Sequence, residues 1–253
     1  AQADSYASQL MDQYGDTYKA NGIGLETIQR FERILIKSSD LLDLVYGEAG
    51  ETPVSDADLT NHLENEMVEL AYYTIPLYNT STYAFADDDQ KAEMLSLAQA
   101  AVDGYNSDIP ADANSQFTTF HTAASNALSG IYAVLDSTVP SDSTTSLQTE
   151  LLSSSTIDSA FTTDGSADTI RSLSYGEAAA VQYSSLSMMM AVRLDPLAAN
   201  TLSTVRSQVL SDMKSDELQD ALAAYGASME HSLDSSAMGK LPAKKIVVNS
   251  SNS

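Results

Sequence analysis

The amino-acid sequence predicts an all-α fold, a multi-helix bundle of eight or nine helices with a short strand-like C-terminal tail. Apolar residues recur at intervals of three and four along most of the chain, which is the spacing of one face of a helix. Several of these stretches also begin or end at residues that commonly start or stop helices. With 253 residues and no cysteine, the chain is long enough to bury a core without any disulfide.

Two long helices are predicted in the first third of the chain. Residues 25–46 carry apolar side chains at helical spacing, and Gly47 follows as a natural stop. Residues 56–75 repeat the pattern, and Pro76 should end the second helix because proline lacks the backbone N–H and clashes with the preceding turn. The apolar stripe of this second helix consists of Leu59, Leu63, Met67, Leu70 and Thr74.

Three consecutive aspartates indicate where the next helix begins. Asp87, Asp88 and Asp89 would lie at the positive end of the helix dipole. Gln90 follows Asp87 at the spacing of a capping box, which strengthens the predicted start. Later helices are predicted over residues 117–135, 147–161, 169–193, 196–213 and 216–233.

The stretch 178–192 is the longest apolar segment without a charge, and it contains Met188, Met189 and Met190. On a helix, consecutive side chains point about 100° apart, so the three thioethers cannot all face one ligand. A helix that is apolar nearly all round belongs in the middle of a bundle, and core packing is therefore the main interpretation. A partner-binding groove and thioether ligation of a metal are the alternatives. The segment is too short and too polar to predict a membrane span.

A serine- and threonine-rich stretch around Pro140 is the candidate linker. It separates an N-terminal helical part, residues 1–138, from a C-terminal helical part, residues 147–243, with the linker itself at 139–146. The second part is expected to pack on the first within one continuous domain. Residues 244–253 form the C-terminal tail.

The charge balance is the strongest global signal, with 35 acidic against 12 basic side chains and a formal net charge of −23. Nucleic acid is excluded as a partner, because binding it requires a basic footprint. An acidic surface repels phosphates and anionic lipid and attracts cations or a basic partner. The opening residues "AQA" resemble the zone around a signal-peptidase site, so the expected location is secreted or periplasmic.

His62, Glu66 and Glu69 form the candidate metal-binding set. Their spacing of four and three residues would place one imidazole and two carboxylates on the same face of a helix. A carboxylate-bridged bundle site draws on several helices, so an ordinary solvated flank is the competing interpretation. No cofactor is expected, with calcium or another divalent cation as the weak alternative, because no acidic loop has the ligand pattern of an EF-hand.

Two sets of residues are candidates for binding a partner. Tyrosine combines contact area with a polar tip, and five aromatic residues lie close together around Pro76. They would bind a protein or stack on a glycan, or else cover one end of the bundle. The first set consists of Tyr72, Tyr73, Tyr78, Tyr83 and Phe85. The second set lies in the strand-like tail and consists of Lys244, Lys245, Ile246, Val247 and Val248.

These features favour an exported acidic helical protein that acts through its surface, as a structural or interaction subunit of an extracellular or cell-envelope assembly. It would bind a protein partner or assemble with itself. The sequence contains no nucleophile elbow, phosphate-binding loop or His-Glu-x-x-His motif, which makes an enzyme the less favoured class. The alternative is a periplasmic or secreted binding module for a metal cation or small ligand. A hydrolase that uses two carboxylates is a third, weaker hypothesis.

Overall fold

The computed structural model of this chain describes residues 2–140 and 146–228. The chain divides into two compact units, Ala1–Met213 and Lys214–Ser253. The first unit contains helices and a four-stranded antiparallel sheet, so the prediction of an all-α fold is wrong and the fold is mixed α and β. The second unit is described through residues 214–228, which form the last part of a helix that starts in the first unit.

Along the chain, one pair of helices lies between the first and second strands, and another pair lies between the second and third strands. In chain order they are α1 (Gln2–Ala20), α2 (Leu25–Tyr46), α3 (Asp56–Asn65), β1 (Met67–Pro76), α4 (Asp88–Asn106), α5 (Ala113–Ala133), β2 (Gln148–Ser153), α6 (Ser154–Ala160), α7 (Ser166–Ser172), β3 (Ala178–Gln182), β4 (Ser187–Leu194), α8 (Pro196–Ala199) and α9 (Leu202–Ser228). None of the helices within the described ranges has both the length and the apolar character that crossing a membrane requires.

The sheet has the strand order β2-β1-β4-β3, with every neighbouring pair antiparallel. Tyr73 on β1 lies opposite Met190 on β4, and Met190 in turn lies opposite Ala180 on β3. On its other edge β1 pairs with β2, where Val68 lies opposite Leu152. Because β1 precedes residues 139–146 and β2 follows them, the chain on both sides of that segment contributes to one sheet.

Helices cover both faces of this sheet. One face packs against α4 and α5, through a cluster that includes Met188, Met190 and Val192. The opposite face packs against α6 and α7, through a cluster that includes Met189 and Ala191. A strand that is buried on both faces has apolar residues at every position rather than at alternate ones. The three methionines are therefore buried in the core, but they lie in a central strand.

The prediction of an apolar helix over residues 178–192 is consequently wrong, and the stretch is a β-hairpin made of β3 and β4. The helix predicted over residues 56–75 is wrong in its second half, because α3 ends at Asn65 and β1 begins at Met67. Valine, tyrosine, threonine and isoleucine dominate the strand portion, and these residues favour strands. The helical spacing of Leu59, Leu63, Met67 and Leu70 thus joins two different elements.

The start of α4 is confirmed in atomic detail. The Asp87 Oδ1 atom accepts a hydrogen bond from the Gln90 backbone N–H at 2.8 Å, and the Gln90 Oε1 atom accepts one from the Asp87 N–H at 3.0 Å. This reciprocal capping box satisfies two N–H groups at the helix start. It also determines where the loop after β1 ends, directly before Asp87.

Candidate interaction surface

The loop between β1 and α4, residues 77–87, is here called the aromatic loop. Its two ends run side by side, since Tyr78 and Phe85 form an isolated antiparallel bridge. The Asn79 N–H donates to the Ala84 carbonyl at 2.9 Å, and the Tyr83 N–H donates to the Asn79 carbonyl at 2.8 Å. The loop is therefore a small hydrogen-bonded turn that continues the direction of β1 beyond the sheet.

Asn79 holds this loop in place from inside. Its side chain is buried, and its Nδ2 atom donates to the Leu135 carbonyl at 2.8 Å. Its Oδ1 atom accepts from the backbone N–H groups of Ser81 at 2.9 Å and Thr82 at 3.0 Å. One side chain thus forms hydrogen bonds to the turn and to the segment directly after α5, which ties the aromatic loop to the body of the protein.

Three aromatic rings of the loop contact one another. The Tyr78 ring stacks on the Tyr83 ring at 6.4 Å between centroids with an interplanar angle of 16°. It meets the Phe85 ring edge-on, at 6.2 Å and 70°. Tyr78 is partly buried, whereas Tyr83 is 74% and Phe85 69% exposed. The half-buried ring therefore supports two exposed rings, which leaves a fixed apolar surface in water.

Backbone strain is concentrated at the same place. Among the described residues, the non-glycine residues with positive φ are Tyr83, at 58°, and Asp136, at 50°. A positive φ is unfavourable for any residue that has a Cβ atom. Backbone strain of this kind is enriched at functional sites. The two residues lie in adjoining loops, because the Asn79 side chain binds the Leu135 carbonyl directly before Asp136.

The β3–β4 turn adds an aliphatic side chain to this end of the sheet. Leu186 is 48% exposed, and its carbonyl accepts a hydrogen bond from the Leu77 N–H at 2.8 Å. Three exposed aspartates, Asp87, Asp88 and Asp89, closely follow Phe85 in the chain, and the exposed Asp136 follows the Leu135 that Asn79 binds. Lys91 pairs with Asp88 at 3.1 Å. We call the whole surface the aromatic end, and it consists of Tyr78, Tyr83, Phe85, Leu186, Asp87, Asp88, Asp89 and Asp136.

Comparisons of the chain with protein-family models, with curated proteins and with solved structures found no match. Exposed ring faces attract cations, and the carboxylates of the aromatic end add a negative potential that also attracts cations. Rigid aromatic side chains also lose little conformational entropy when a partner covers them. This combination suits a basic polypeptide with an apolar anchor.

The sheet divides the five predicted aromatic residues into two groups. Tyr78, Tyr83 and Phe85 meet at the aromatic end, whereas Tyr72 and Tyr73 lie within β1 and point to opposite faces of the sheet. Tyr73 is buried, and a 2.6 Å hydrogen bond joins its hydroxyl to His121 Nδ1. Tyr72 donates to Glu150 Oε2 at 2.9 Å, and burial raises the pKa of Tyr72 to about 12.

The three residues of the predicted metal set do not share one helical face. His62 lies in α3, and its Nε2 atom is 2.7 Å from Asp212 Oδ2. Glu66 is the C-cap residue of α3, and Glu69 is a buried residue of β1. Within residues 2–140 and 146–228, no group of three or more histidine, aspartate and glutamate side chains is arranged to hold a metal ion.

The other predicted partner-binding set, residues 244–248, lies outside the described residues. Sequence reasoning also missed two residues of the aromatic end, Leu186 and Asp136, and the buried Asn79 that holds the aromatic loop in place. Leu186 belonged to a predicted helix, and the other two are polar residues in loops with no pattern around them. Hydrogen bonds between distant segments bring them together, and local spacing carries no signal of such bonds.

Replacing Asn79 by alanine is expected to loosen the aromatic loop and to lower the free energy of unfolding by about 1–3 kcal/mol. The substitution leaves the Leu135 carbonyl and two turn N–H groups without their partner. Urea unfolding followed by circular dichroism measures the loss, and limited proteolysis of the loop reports its mobility. Ser81→Ala on the exposed side of the same turn is the control, and equal stability of the two variants would contradict the role of Asn79.

Proposed function

We propose that this protein is an exported, acidic interaction subunit of an extracellular or cell-envelope assembly, and that the aromatic end is its partner-binding surface. The observation that carries the proposal is the pair of exposed rings, Tyr83 and Phe85, held in one arrangement by a buried Asn79 and a strained backbone. Exposed aromatic side chains that contact one another on a fixed loop form an apolar patch, and binding surfaces are enriched in such aromatic residues.

The charge of the aromatic end limits the partner to a cationic one. Asp87, Asp88 and Asp89 are exposed and follow Phe85 closely in the chain, and Asp136 is exposed next to the Leu135 that binds the aromatic loop. A phosphate-rich or anionic polymer would be repelled, whereas lysine or arginine would gain both charge attraction and ring contact. Apolar residues next to those cations would cover Phe85 and Leu186. The partner is therefore a segment in which lysines alternate with or adjoin aliphatic residues.

The chain itself contains a segment of this chemistry. Residues 235–253 include Lys240, Lys244 and Lys245 and no acidic residue, and Ile246, Val247 and Val248 follow the lysines directly. We therefore take the basic C-terminal segment of a second copy as the partner. Two copies with a net charge of −23 each repel one another, so an assembly needs a contact in which opposite charges meet. Such a head-to-tail contact generates a ring or a filament.

Sedimentation velocity of the full chain tests this proposal. The wild-type protein should associate, and both Tyr83→Ala/Phe85→Ala and Lys244→Glu/Lys245→Glu should weaken association at least about 30-fold, as expected when hot-spot residues are lost. Tyr6→Ala, which removes a tyrosine that is 48% exposed on α1, should leave association unchanged.

A charge exchange sharpens the test. Asp88→Lys/Asp89→Lys combined with Lys244→Glu/Lys245→Glu should restore association that either pair of substitutions abolishes alone. A wild-type chain that stays monomeric at the highest soluble concentration would overturn the self-assembly proposal. Association that persists in Tyr83→Ala/Phe85→Ala would overturn the role of the aromatic end, and so would binding of a neutral oligosaccharide in place of a second copy.

A further inference from the structure

A cavity of about 240 Å³ lies on the face of the sheet that α5 covers, near the start of β1. It is at the opposite end of β1 from the aromatic loop. Its volume is below the roughly 300 Å³ at which pockets for drug-sized ligands begin, so it suits a smaller molecule. The lining groups that matter for binding are Glu69, Asn114, Phe117, Thr149, Leu194 and Asn200.

Glu69 is the unusual member of this lining. It is only 5% exposed, although it is a carboxylic acid in the middle of a sheet. Its Oε2 atom accepts a hydrogen bond from Asn200 Nδ2 at 3.1 Å. Burial raises the pKa of Glu69, and the nearby charge of Glu150 raises it further, while the Asn200 hydrogen bond acts in the opposite direction. No lysine or arginine is among the groups that shift this pKa.

A buried carboxylate without a cation is costly, because its ionised form loses hydration and gains one amide donor in return. Hydrophobic substitution would remove that cost, since Leu151 and Leu194 occupy the cross-strand positions on either side of Glu69. A ligand that brings its own positive charge into the cavity would also remove it. The cavity and the carboxylate therefore point to the same class of molecule.

The remaining lining distinguishes an organic cation from a metal ion. Calcium requires six or more oxygen ligands, usually from several carboxylates, and Glu69 is the single acidic side chain among the lining residues. Phe117 and Leu194 offer an apolar wall, and an aromatic ring face also attracts a cation. Thr149 and Asn114 add side-chain oxygen atoms that can accept hydrogen bonds.

We propose that this cavity binds a small primary amine, whose ammonium group pairs with Glu69 and whose alkyl part lies against Phe117 and Leu194. The ammonium donates one hydrogen bond to the carboxylate and others to the neighbouring oxygen atoms. The acidic surface of the protein raises the local concentration of such cations around the cavity. This site is independent of the aromatic end and of any assembly.

Isothermal titration calorimetry of the full chain tests the site with propylamine, 1,4-diaminobutane, propanol and calcium chloride as probes. At least one amine should bind, and Glu69→Gln should weaken its binding at least about tenfold, because an ion pair between the ammonium group and a carboxylate becomes a hydrogen bond from the ammonium group to a neutral amide oxygen. Glu66→Gln, which removes an exposed carboxylate three residues away, should bind the amine as the wild type does. Propanol has the shape of propylamine without its charge and should not bind.

Proton release provides a second readout. Because burial raises the pKa of Glu69, the free protein keeps a proton on this group at pH values where an exposed glutamate has largely lost its own, and amine binding should displace that proton. Titrations in buffers of different ionisation enthalpy measure this release, which Glu69→Gln should abolish. Binding of propanol as tight as that of propylamine, binding of calcium alone, or unchanged amine binding by Glu69→Gln would each overturn the proposal.

The free energy of unfolding of Glu69→Gln shows whether a loss of amine binding could come from unfolding of this variant. The native pKa of Glu69 lies above its ordinary value of 4.5, so the folded state holds a proton that the unfolded state releases. The free energy of unfolding therefore falls as pH rises from about that value to the raised pKa. Glu69→Gln lacks this fall and should be folded and at least as stable as the wild type at neutral pH. Loss of binding in this variant then cannot be ascribed to unfolding.

Discussion

Replacing Met190 by aspartate should leave the chain unfolded in the absence of denaturant. Met190 is fully buried in β4, between Tyr73 of β1 and Ala180 of β3, and it faces the cluster formed with α4 and α5. An unpaired carboxylate at this position loses its hydration without any compensating partner. We expect a loss of at least about 5 kcal/mol, which is comparable with the whole stability of many domains.

Far-UV circular dichroism and urea unfolding measure this effect. Met189→Asp should be about as damaging as Met190→Asp, because α6 and α7 cover the opposite face of the sheet. A sheet with one solvent-facing side would tolerate one of the two substitutions. Ser185→Asp, in the exposed turn between β3 and β4, is the control and should keep the wild-type stability. A folded Met189→Asp or Met190→Asp protein would contradict the three-layer arrangement.

Gly176→Ala is the second substitution with a large expected effect, a loss of about 2–5 kcal/mol. Gly176 has φ of +82°, a conformation that a residue with a Cβ rarely adopts. An added Cβ would also lie 2.6 Å from Gln116 Nε2 and 3.0 Å from Ile109 Cγ2. Strain and overpacking each cost about 1–3 kcal/mol, and both apply here.

The neighbours of Gly176 have little freedom to move away. Its N–H donates to the Arg193 carbonyl at 2.7 Å, and its carbonyl accepts from the Tyr105 hydroxyl at 2.8 Å. The Gln116 amide that would be displaced is itself buried and donates to the Pro110 carbonyl at 2.9 Å. This glycine therefore connects the start of β3 to α4 and α5 at a point of close approach.

Urea unfolding of Gly176→Ala and of Gly104→Ala gives a matched comparison. Gly104 lies in α4, and an added Cβ there would meet no atom within 4 Å. Alanine at that helical position should stabilise the protein by about 0.5–1 kcal/mol. If the two alanine variants had the same stability, the close approach at Gly176 would be refuted.

The predicted helices that the structure contains are those with one apolar face and a clear start or stop signal. The stretch 25–46 is α2, and Gly47 follows it as its C-cap. The capping box at Asp87 begins α4, and the apolar pattern over 117–135 falls largely within α5. In these elements the local signals and the tertiary environment agree, because one side of each helix faces water and the other faces the sheet or a neighbouring helix.

The strand β4 was missed because its buried residues do not alternate with exposed ones. In β4 the residues from Met188 to Val192 are all buried, so the pattern of two that identifies a half-exposed strand is absent. A short run of this kind is equally compatible with a buried helix. The hairpin that β4 forms with β3, and above all its pairing with β1 more than about 100 residues earlier, decide between the two.

The candidate sites were likewise predicted in part from local sequence and decided in part by tertiary contacts. The aromatic residues around Pro76 are visible in the sequence, and three of the five meet at the aromatic end. The pleat of β1 directs Tyr72 and Tyr73 elsewhere, since a strand turns successive side chains to opposite faces. Glu69 was selected for its spacing from His62 and Glu66 on a helix, but it lies in a strand. Its observed partner, Asn200, is 131 residues away in sequence.

The sequence by itself determined the acidic charge, the absence of cysteine, the amphipathic helices and the aromatic cluster after β1. Composition and local spacing are enough for these properties, because each depends on residues that are neighbours along the chain. The tertiary structure alone decided that residues 67–76, 178–182 and 187–194 are strands, and which side chains meet at the aromatic end and around Glu69. These outcomes depend on hydrogen bonds and burial between distant segments, whose free energy exceeds the weak local preference for a helix.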